Sequence, residues 1–399
     1  MHSVIRKRQG LPWAPEEPKG LAANSSHIVG VSVRAGPFET DPLGLAYASW
    51  SHPKLVTQCM AEDEQLRRRA LAHTCELLRS AREISSFVPA GIVAALNKSA
   101  EHAGDAETRK LATAALIPLA RDQNARDAML LEGSSVPVLL RLACDAEPAV
   151  RSNSLAAMLE LSKFIPGARA FVGGGAVKLL VKRCVEETET LAAVLAALHK
   201  LLEVDHDGLA EGIAGGAIAT IVKLVTSAES RPAVCEYALY ALTQLTVGGE
   251  EKKAAVAEGV LRKTIALVTE KACRELFGDE DEEAVVRVQT AAAALLMSLT
   301  IDNECKMEAV KLEAVAALTP LVQVALQAEY AEALDYTNST LVANVTKVIA
   351  NISEFPPGRK QLKNKKQGAL ADLKPLVGAA EPIVGKHAQI AVEKVQWMP

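Results

Sequence analysis

A short aliphatic motif behind a small-residue turn returns along this chain at almost constant spacing, and no other feature constrains its fold as strongly. It reads Gly91-Ile92-Val93, Gly133 with Val136, Gly175-Ala176-Val177, Gly216-Ala217-Ile218 and Gly259-Val260-Leu261. It returns in degenerate form at Glu313-Ala314-Val315 and again at Gly368-Ala369-Leu370. The intervals are 42, 42, 41, 43, 54 and 55 residues. Spacing of this kind marks a repeat array, in which each repeat carries an apolar stripe that only a stacked neighbour can bury. The array begins near Pro53 and holds about eight repeats, the first and last partial.

Helical periodicity fills each repeat. After Gly133, an apolar face is formed by Val136, Leu139, Leu140, Leu142 and Ala143, and Pro137 falls in the first turn, where its missing N–H is harmless. Pro148 then opens a longer stripe through Val150, Leu155, Met158, Leu159 and Leu161 at i, i+3, i+4 spacing. Pro166-Gly167 is expected to end that helix. A short third helix over about 168–172 then runs into Gly173-Gly174-Gly175, where glycine can adopt the positive φ of a helix-terminal turn. Three helices at this period match armadillo or HEAT repeats of roughly 40–47 residues, not ankyrin or tetratricopeptide repeats of about 33–34. The expected fold is therefore all-α, an armadillo/HEAT-like α-solenoid wound as a right-handed superhelix over residues 53–399. Two repeats are oversized. One holds an acidic insertion at about 274–284, with the run Asp279-Glu280-Asp281-Glu282-Glu283 expected as an exposed loop, and the other spans about 313–368.

Residues 1–52 differ in kind. Pro12, Pro15, Pro18, Pro37 and Pro42, with five glycines and little helical periodicity, predict an extended N-terminal arm. Trp13, Phe38, Tyr47 and Trp50 are its candidate anchors, docking either on the helical body or on another protein. The basic cluster Arg6-Lys7-Arg8 has no apolar stretch behind it and does not read as a secretory signal. With 6 Phe, 5 Tyr and 3 Trp, the core must be built from Ala, Leu and Val, which suits close helix packing. A formal net charge of −4 supplies no global field for nucleic acid, and no apolar run is long enough to span a membrane.

Nothing in the sequence forms a catalytic constellation. There is no Gly-x-Ser-x-Gly elbow, phosphate-binding loop or His-Glu-x-x-His helix, and the triple glycine lacks the Lys-Ser/Thr a phosphate loop requires. Cys59, Cys75, Cys144, Cys184, Cys235, Cys273 and Cys305 form no Cys-x-x-Cys pair and read as reduced, mostly buried thiols. His199 and His206, near Asp205 and Asp207, would need further ligands from neighbouring repeats to hold a metal. No enzyme activity, cofactor, metal, nucleic acid, membrane or small-molecule substrate is expected, and the partners are other proteins. Aligning the long helices gives one polar position per repeat: Glu76, Pro118, Glu160, Lys200, Gln244, Ser298 and Asn351. Its polar members are the candidate protein-binding groove. Four residues earlier stand Ala72, Ala114, Ala156, Ala196, Tyr240, Ala294 and Lys347. Nuclear-import adaptors, which are armadillo proteins, carry Asn at the first set and Trp at the second; one Asn and no Trp here exclude that role. The small residues favour a close-packed partner such as a helix.

With the repeats in register, an ordered set of further motifs stands out, beginning with Asp41-Pro42, Ala46-Tyr47, Pro53-Lys54-Leu55, Glu62-Asp63 and Arg69-Ala70-Leu71. It continues through Val181-Lys182-Arg183 with Glu186-Glu187, Pro357-Gly358-Arg359-Lys360-Gln361-Leu362 and the closing Trp397-Met398-Pro399. In these motifs and their order the chain resembles a narrower family, the armadillo-repeat radial spoke proteins of motile cilia. The resemblance implies a non-catalytic scaffold subunit of the ciliary or flagellar axoneme that holds other spoke proteins and contributes to control of dynein-driven motility. The alternative is a cytosolic armadillo adaptor for a signalling or membrane-associated partner.

Overall fold

Among the described residues every regular element is a helix. The computed structural model describes residues 51–102, 104–131, 135–227, 231–277, 281–330, 336–364, 369–379 and 381–397, the side chains from 324 to 339 excepted. The arm anchors Trp13, Phe38, Tyr47 and Trp50, the turn residues Gly133 and Gly368, and residues 278–280 of the acidic run lie outside the described residues.

The chain divides into two compact units, Met1–Ala157 and Met158–Pro399. The first holds α1 (Ser51–Cys59), α2 (Glu64–Leu77), α3 (Ala81–Phe87), α4 (Ile92–Ala100), α5 (Ala106–Arg121), α6 (Gln123–Leu131) and α7 (Ser135–Leu142). The division falls within α8 (Pro148–Ser162). The second unit continues with α9 (Ile165–Gly173), α10 (Ala176–Glu186), α11 (Leu191–Val204), α12 (His206–Ala214), α13 (Ala217–Thr226), α14 (Pro232–Leu245), α15 (Gly249–Ala257) and α16 (Val260–Val268). It closes with α17 (Glu270–Phe277), α18 (Glu282–Leu299), α19 (Asn303–Lys311), α20 (Ala314–Tyr330), α21 (Tyr336–Ile352), α22 (Pro356–Leu362), α23 (Leu370–Leu376) and α24 (Pro382–Gln396). A repeat is two short helices and a long one, as in α9–α10–α11 and α12–α13–α14. The 54-residue interval accommodates the additional helix α17, and the next interval contains two helices of 17 residues, α20 and α21.

The recurrent turn joins the two short helices of a repeat. Its φ is +83° at Gly91, +79° at Gly175, +74° at Gly216 and +85° at Gly259, a region open to glycine and costly for residues with a Cβ. Glu313 holds the same place in the degenerate repeat with φ +58°, so that repeat keeps its geometry with a side chain the geometry disfavours. Glu313→Gly is expected to stabilise the second unit by about 1 kcal/mol, and Gly216→Ala to destabilise it by a similar amount. Urea unfolding of the two variants checks both signs.

Pro166 and Gly167 start α9 rather than ending α8. Phe164 is its N-cap, and proline suits the first turn because its absent N–H would have no helical partner. Gly167 allows the two helices to touch, since a Cβ there would lie 2.1 Å from the Leu161 carbonyl oxygen. The device recurs where Pro356 opens α22 and a Cβ on Gly358 would lie 2.3 Å from the Ile352 oxygen. The described part of the acidic run is also helix rather than loop. Asp281 is the N-cap of α18, accepting from Ala284 N, and Glu282 and Glu283 occupy its first turn, where negative charge meets the positive end of the helix dipole.

In the second unit the long helices pack in succession, α11 on α14, α14 on α18, α18 on α21 and α21 on α24. Ala197, Ala238, Ala241, Ala291, Ala292, Ala388 and Ala391 are wholly buried, and their small side chains let these helices approach closely. Phe87 and Phe171 are wholly buried rings in a core otherwise aliphatic. The first unit adds a buried ion pair. Arg67 Nη2 lies 3.0 Å from Asp105 Oδ2, and both residues are 4% exposed. Arg68 adds a 2.7 Å contact, Thr108 donates its hydroxyl to the same carboxylate, and Asp105 caps α5 through Thr108 N. Arg109 repeats the pattern on Asp145 at 2.8 Å.

Candidate protein-binding face

Six long helices present one polar residue of the ladder each, Glu76 on α2, Glu160 on α8, Lys200 on α11, Gln244 on α14, Ser298 on α18 and Asn351 on α21, while α5 carries Pro118 at that position. Glu76 belongs to the first unit and is well exposed, whereas the others fall in the second. Most of these positions are half-buried.

The two charges of the ladder are tied down locally. Lys163 Nζ donates to Glu160 Oε2 at 2.7 Å, and Lys200 Nζ donates to Glu203 Oε2 at 2.7 Å. Their side chains are 14% and 23% exposed. Gln244, on α14, is half-buried. Ser298 is not a surface group: it is buried, and its hydroxyl donates to the Thr246 carbonyl 3.1 Å away, joining α18 to the end of α14. Asn351 commits its amide nitrogen in the same way, to the Met297 carbonyl at 3.3 Å and Thr300 Oγ1 at 3.2 Å. Two members of the ladder therefore fasten neighbouring repeats, while Glu160, Lys200 and Gln244 remain as its presentable polar centre.

Rings and ion pairs occur elsewhere along these repeats. His199 stacks on Tyr240, with centroids 5.5 Å apart and planes 28° from parallel, and burial pushes its imidazole down, which keeps it neutral near pH 7. Arg287 bridges Glu236 at 3.2 Å and Glu283 at 2.8 Å, and burial raises the Glu236 carboxyl against the attraction of Arg287. Further along, Glu354 lies between Lys306 at 2.6 Å and Lys394 at 2.5 Å. Burial works against its charge, but the two ammonium groups hold its carboxyl below the usual range.

All seven cysteines are free; Cys59, Cys184, Cys235, Cys273 and Cys305 are buried, and burial pushes the Cys184 and Cys273 thiols up to about 12. Asp205, near His199 and His206, caps α12 by accepting from Gly208 N at 3.0 Å. Among the described residues no His, Cys, Asp and Glu side chains gather as a metal site, and no single helix is long and apolar enough to cross a membrane.

Stacked three-helix repeats, left-handed glycine turns and a ladder on the long helices define an armadillo-repeat solenoid. Solved structures bear the fold out. An engineered protein superposes with a TM-score of 0.53 at 22% identity, covering 88% of this chain and 100% of its own. A designed armadillo repeat protein gives 0.51 at 23% identity over 62% of this chain and 99% of its own. Another, solved in complex with the peptide (KR)4, gives 0.51 at 23% identity over 62% and 98%. No protein-family model matches the chain. Over 301 residues, 75% of its length, it is 25% identical to Radial spoke protein 14 of Chlamydomonas reinhardtii. The chain spans 66% of that protein's length. The resemblance to armadillo-repeat radial spoke proteins read from the sequence is thereby borne out.

Proposed function

We propose that this chain is a non-catalytic scaffold subunit of the radial spokes of ciliary or flagellar axonemes, holding other spoke proteins and contributing to the control of dynein-driven motility. The similarity to Radial spoke protein 14 over 301 residues carries this reading. The physics supports it: a stacked array offers a large surface for its length and resists bending through its inter-repeat contacts. Clamps such as Ser298 on Thr246 and Asn351 on Met297 and Thr300 add directional restraint between successive repeats. The presentable centre of the ladder, Glu160, Lys200 and Gln244, is the surface on which a partner is recognised, and a partner there meets two charges already paired with Lys163 and Glu203. In this reading the protein belongs to the axoneme and resides in the cytoplasm before assembly.

Reversing Glu160 and Lys200 together, as Glu160→Lys with Lys200→Glu, places like charges opposite Lys163 and Glu203 and inverts the face. Helicity should be retained, because both substitutions keep residues of good helix propensity. Partner binding should weaken by about 1–3 kcal/mol. Affinity capture of the tagged full chain from axonemal extract measures this; capture of the double variant with an undiminished set of partners would move the binding surface away from this face.

A further inference from the structure

A second feature of the later repeats differs in chemistry from the ladder centre. A cleft opens between the C-terminal end of α18, α21 and α24, lined by Met297, Ile301, Lys347, His387, Ile390 and Lys394 together with Ala350 and Asn351. Ile301, an aliphatic side chain of this lining, is 61% exposed. Lys347 is half-buried and has no ion-pair partner among the described residues. His387 buries Nδ1 without a hydrogen-bond partner, which leaves Nε2 as the nitrogen able to donate outward. Burial pushes its imidazole down, and the nearby Lys347 and Lys386 act in the same direction. Close by, Glu354 is shared by Lys306 and Lys394, so one carboxylate faces two ammonium groups before Lys347 is counted.

We infer that this cleft docks an acidic segment of a partner protein, seating an apolar side chain against Met297, Ile301 and Ile390 and a neighbouring carboxylate on Lys347 and His387. The inference rests on reading the chain as a protein-binding array and specifies the partner's chemistry at one place on it. Charge complementarity decides the occupant. A basic peptide would bring like charge to Lys347 and Lys394, whereas a carboxylate would supply the acceptor that Lys347 Nζ lacks. A purely apolar segment would leave Lys347 half-buried and uncompensated. The clamp of Asn351 on Met297 and Thr300 ties α21 to α18 beside the cleft without using Lys347 or His387.

The test is fluorescence anisotropy of the full chain with two labelled peptides, Ser-Glu-Glu-Leu-Leu-Glu-Glu-Ser and Ser-Lys-Lys-Leu-Leu-Lys-Lys-Ser. The acidic peptide should bind at least about tenfold more tightly than the basic one, and Lys347→Glu should remove that preference. Ile301→Ser, at an exposed position that leaves folding intact, should weaken the acidic peptide severalfold without reversing the preference. Equal or weaker binding of the acidic peptide, no binding of either, or an acidic preference that survives Lys347→Glu overturns the inference. Any of these with the tagged chain still located in the axoneme removes the cleft and leaves the spoke reading standing; a chain that keeps its acidic preference but lies outside the axoneme does the reverse.

Discussion

Asp105→Ala is expected to destabilise the first unit by about 3–5 kcal/mol, the range for removing one partner of a buried ion pair. The substitution leaves the Arg67 guanidinium 4% exposed and without its carboxylate, and it also removes the N-cap of α5. Arg67 would keep its bonds to the Ala61 and Glu62 carbonyls, which limits the loss without neutralising the charge. Replacing both partners, as Arg67→Met with Asp105→Leu, should recover much of the stability, because the larger part of the penalty is an uncompensated charge rather than a lost attraction. Chemical denaturation read in the first unit decides this, and a loss under about 1 kcal/mol for Asp105→Ala would show that the pair adds little. The pH dependence follows with a definite sign. Burial alone would raise the Asp105 carboxyl, but hydrogen bonds from Arg68, Thr108 and Arg67 hold it well below the usual carboxylate range. A depressed folded pKa contributes stability that is complete above the unfolded carboxylate value of about 3.9 and disappears as pH falls below it. The wild-type chain should therefore weaken more steeply than Asp105→Ala on acidification below about pH 4.

Gly167→Ala should destabilise the second unit by about 3 kcal/mol. Its Cβ would sit 2.1 Å from the Leu161 carbonyl oxygen, and because that neighbour is backbone, α9 must move away from α8 to admit it. Gly358→Ala should behave alike, with 2.3 Å to the Ile352 oxygen. Gly173→Ala is the control, since a Cβ there meets nothing within 4 Å and alanine favours helix. Thermal unfolding that ranks Gly167→Ala level with Gly173→Ala would contradict this close-contact explanation.

These two devices also show where reading the sequence succeeds and where it stops. The repeat was legible because burial demands the same aliphatic spacing in every copy, and the left-handed turn demanded glycine at Gly91, Gly175, Gly216 and Gly259. Glu313 was placed by register alone, its strained conformation invisible in the side chain itself. Pro166-Gly167 was misread because Pro-Gly serves equally as a stop and as a first turn; the Phe164 N-cap and the approach to Leu161 distinguish the two only in three dimensions. The ladder positions were found by periodicity, but periodicity gives the helix face and not the depth. Ser298 and Asn351 therefore read as groove residues although their polar atoms are committed to Thr246, Met297 and Thr300. The sequence carries a further periodic signal whose meaning only the structure gives. Arg67, Arg109 and Arg151 recur at intervals of 42 residues. Arg67 and Arg109 grip Asp105 and Asp145, and Arg151 binds the Asp145 and Ala146 carbonyls at 2.9 Å. The cleft around Lys347 and His387 left no trace in sequence order, because its lining converges from three long helices.

The most direct measurement is the location of a tagged full-length chain in a ciliated cell, read by proximity labelling and by microscopy of isolated axonemes. The expected result is retention of the tag in the axoneme, with radial spoke proteins among its labelled neighbours. A chain spread through the cytosol and labelling a signalling or membrane-associated partner instead would contradict the spoke scaffold and favour the adaptor.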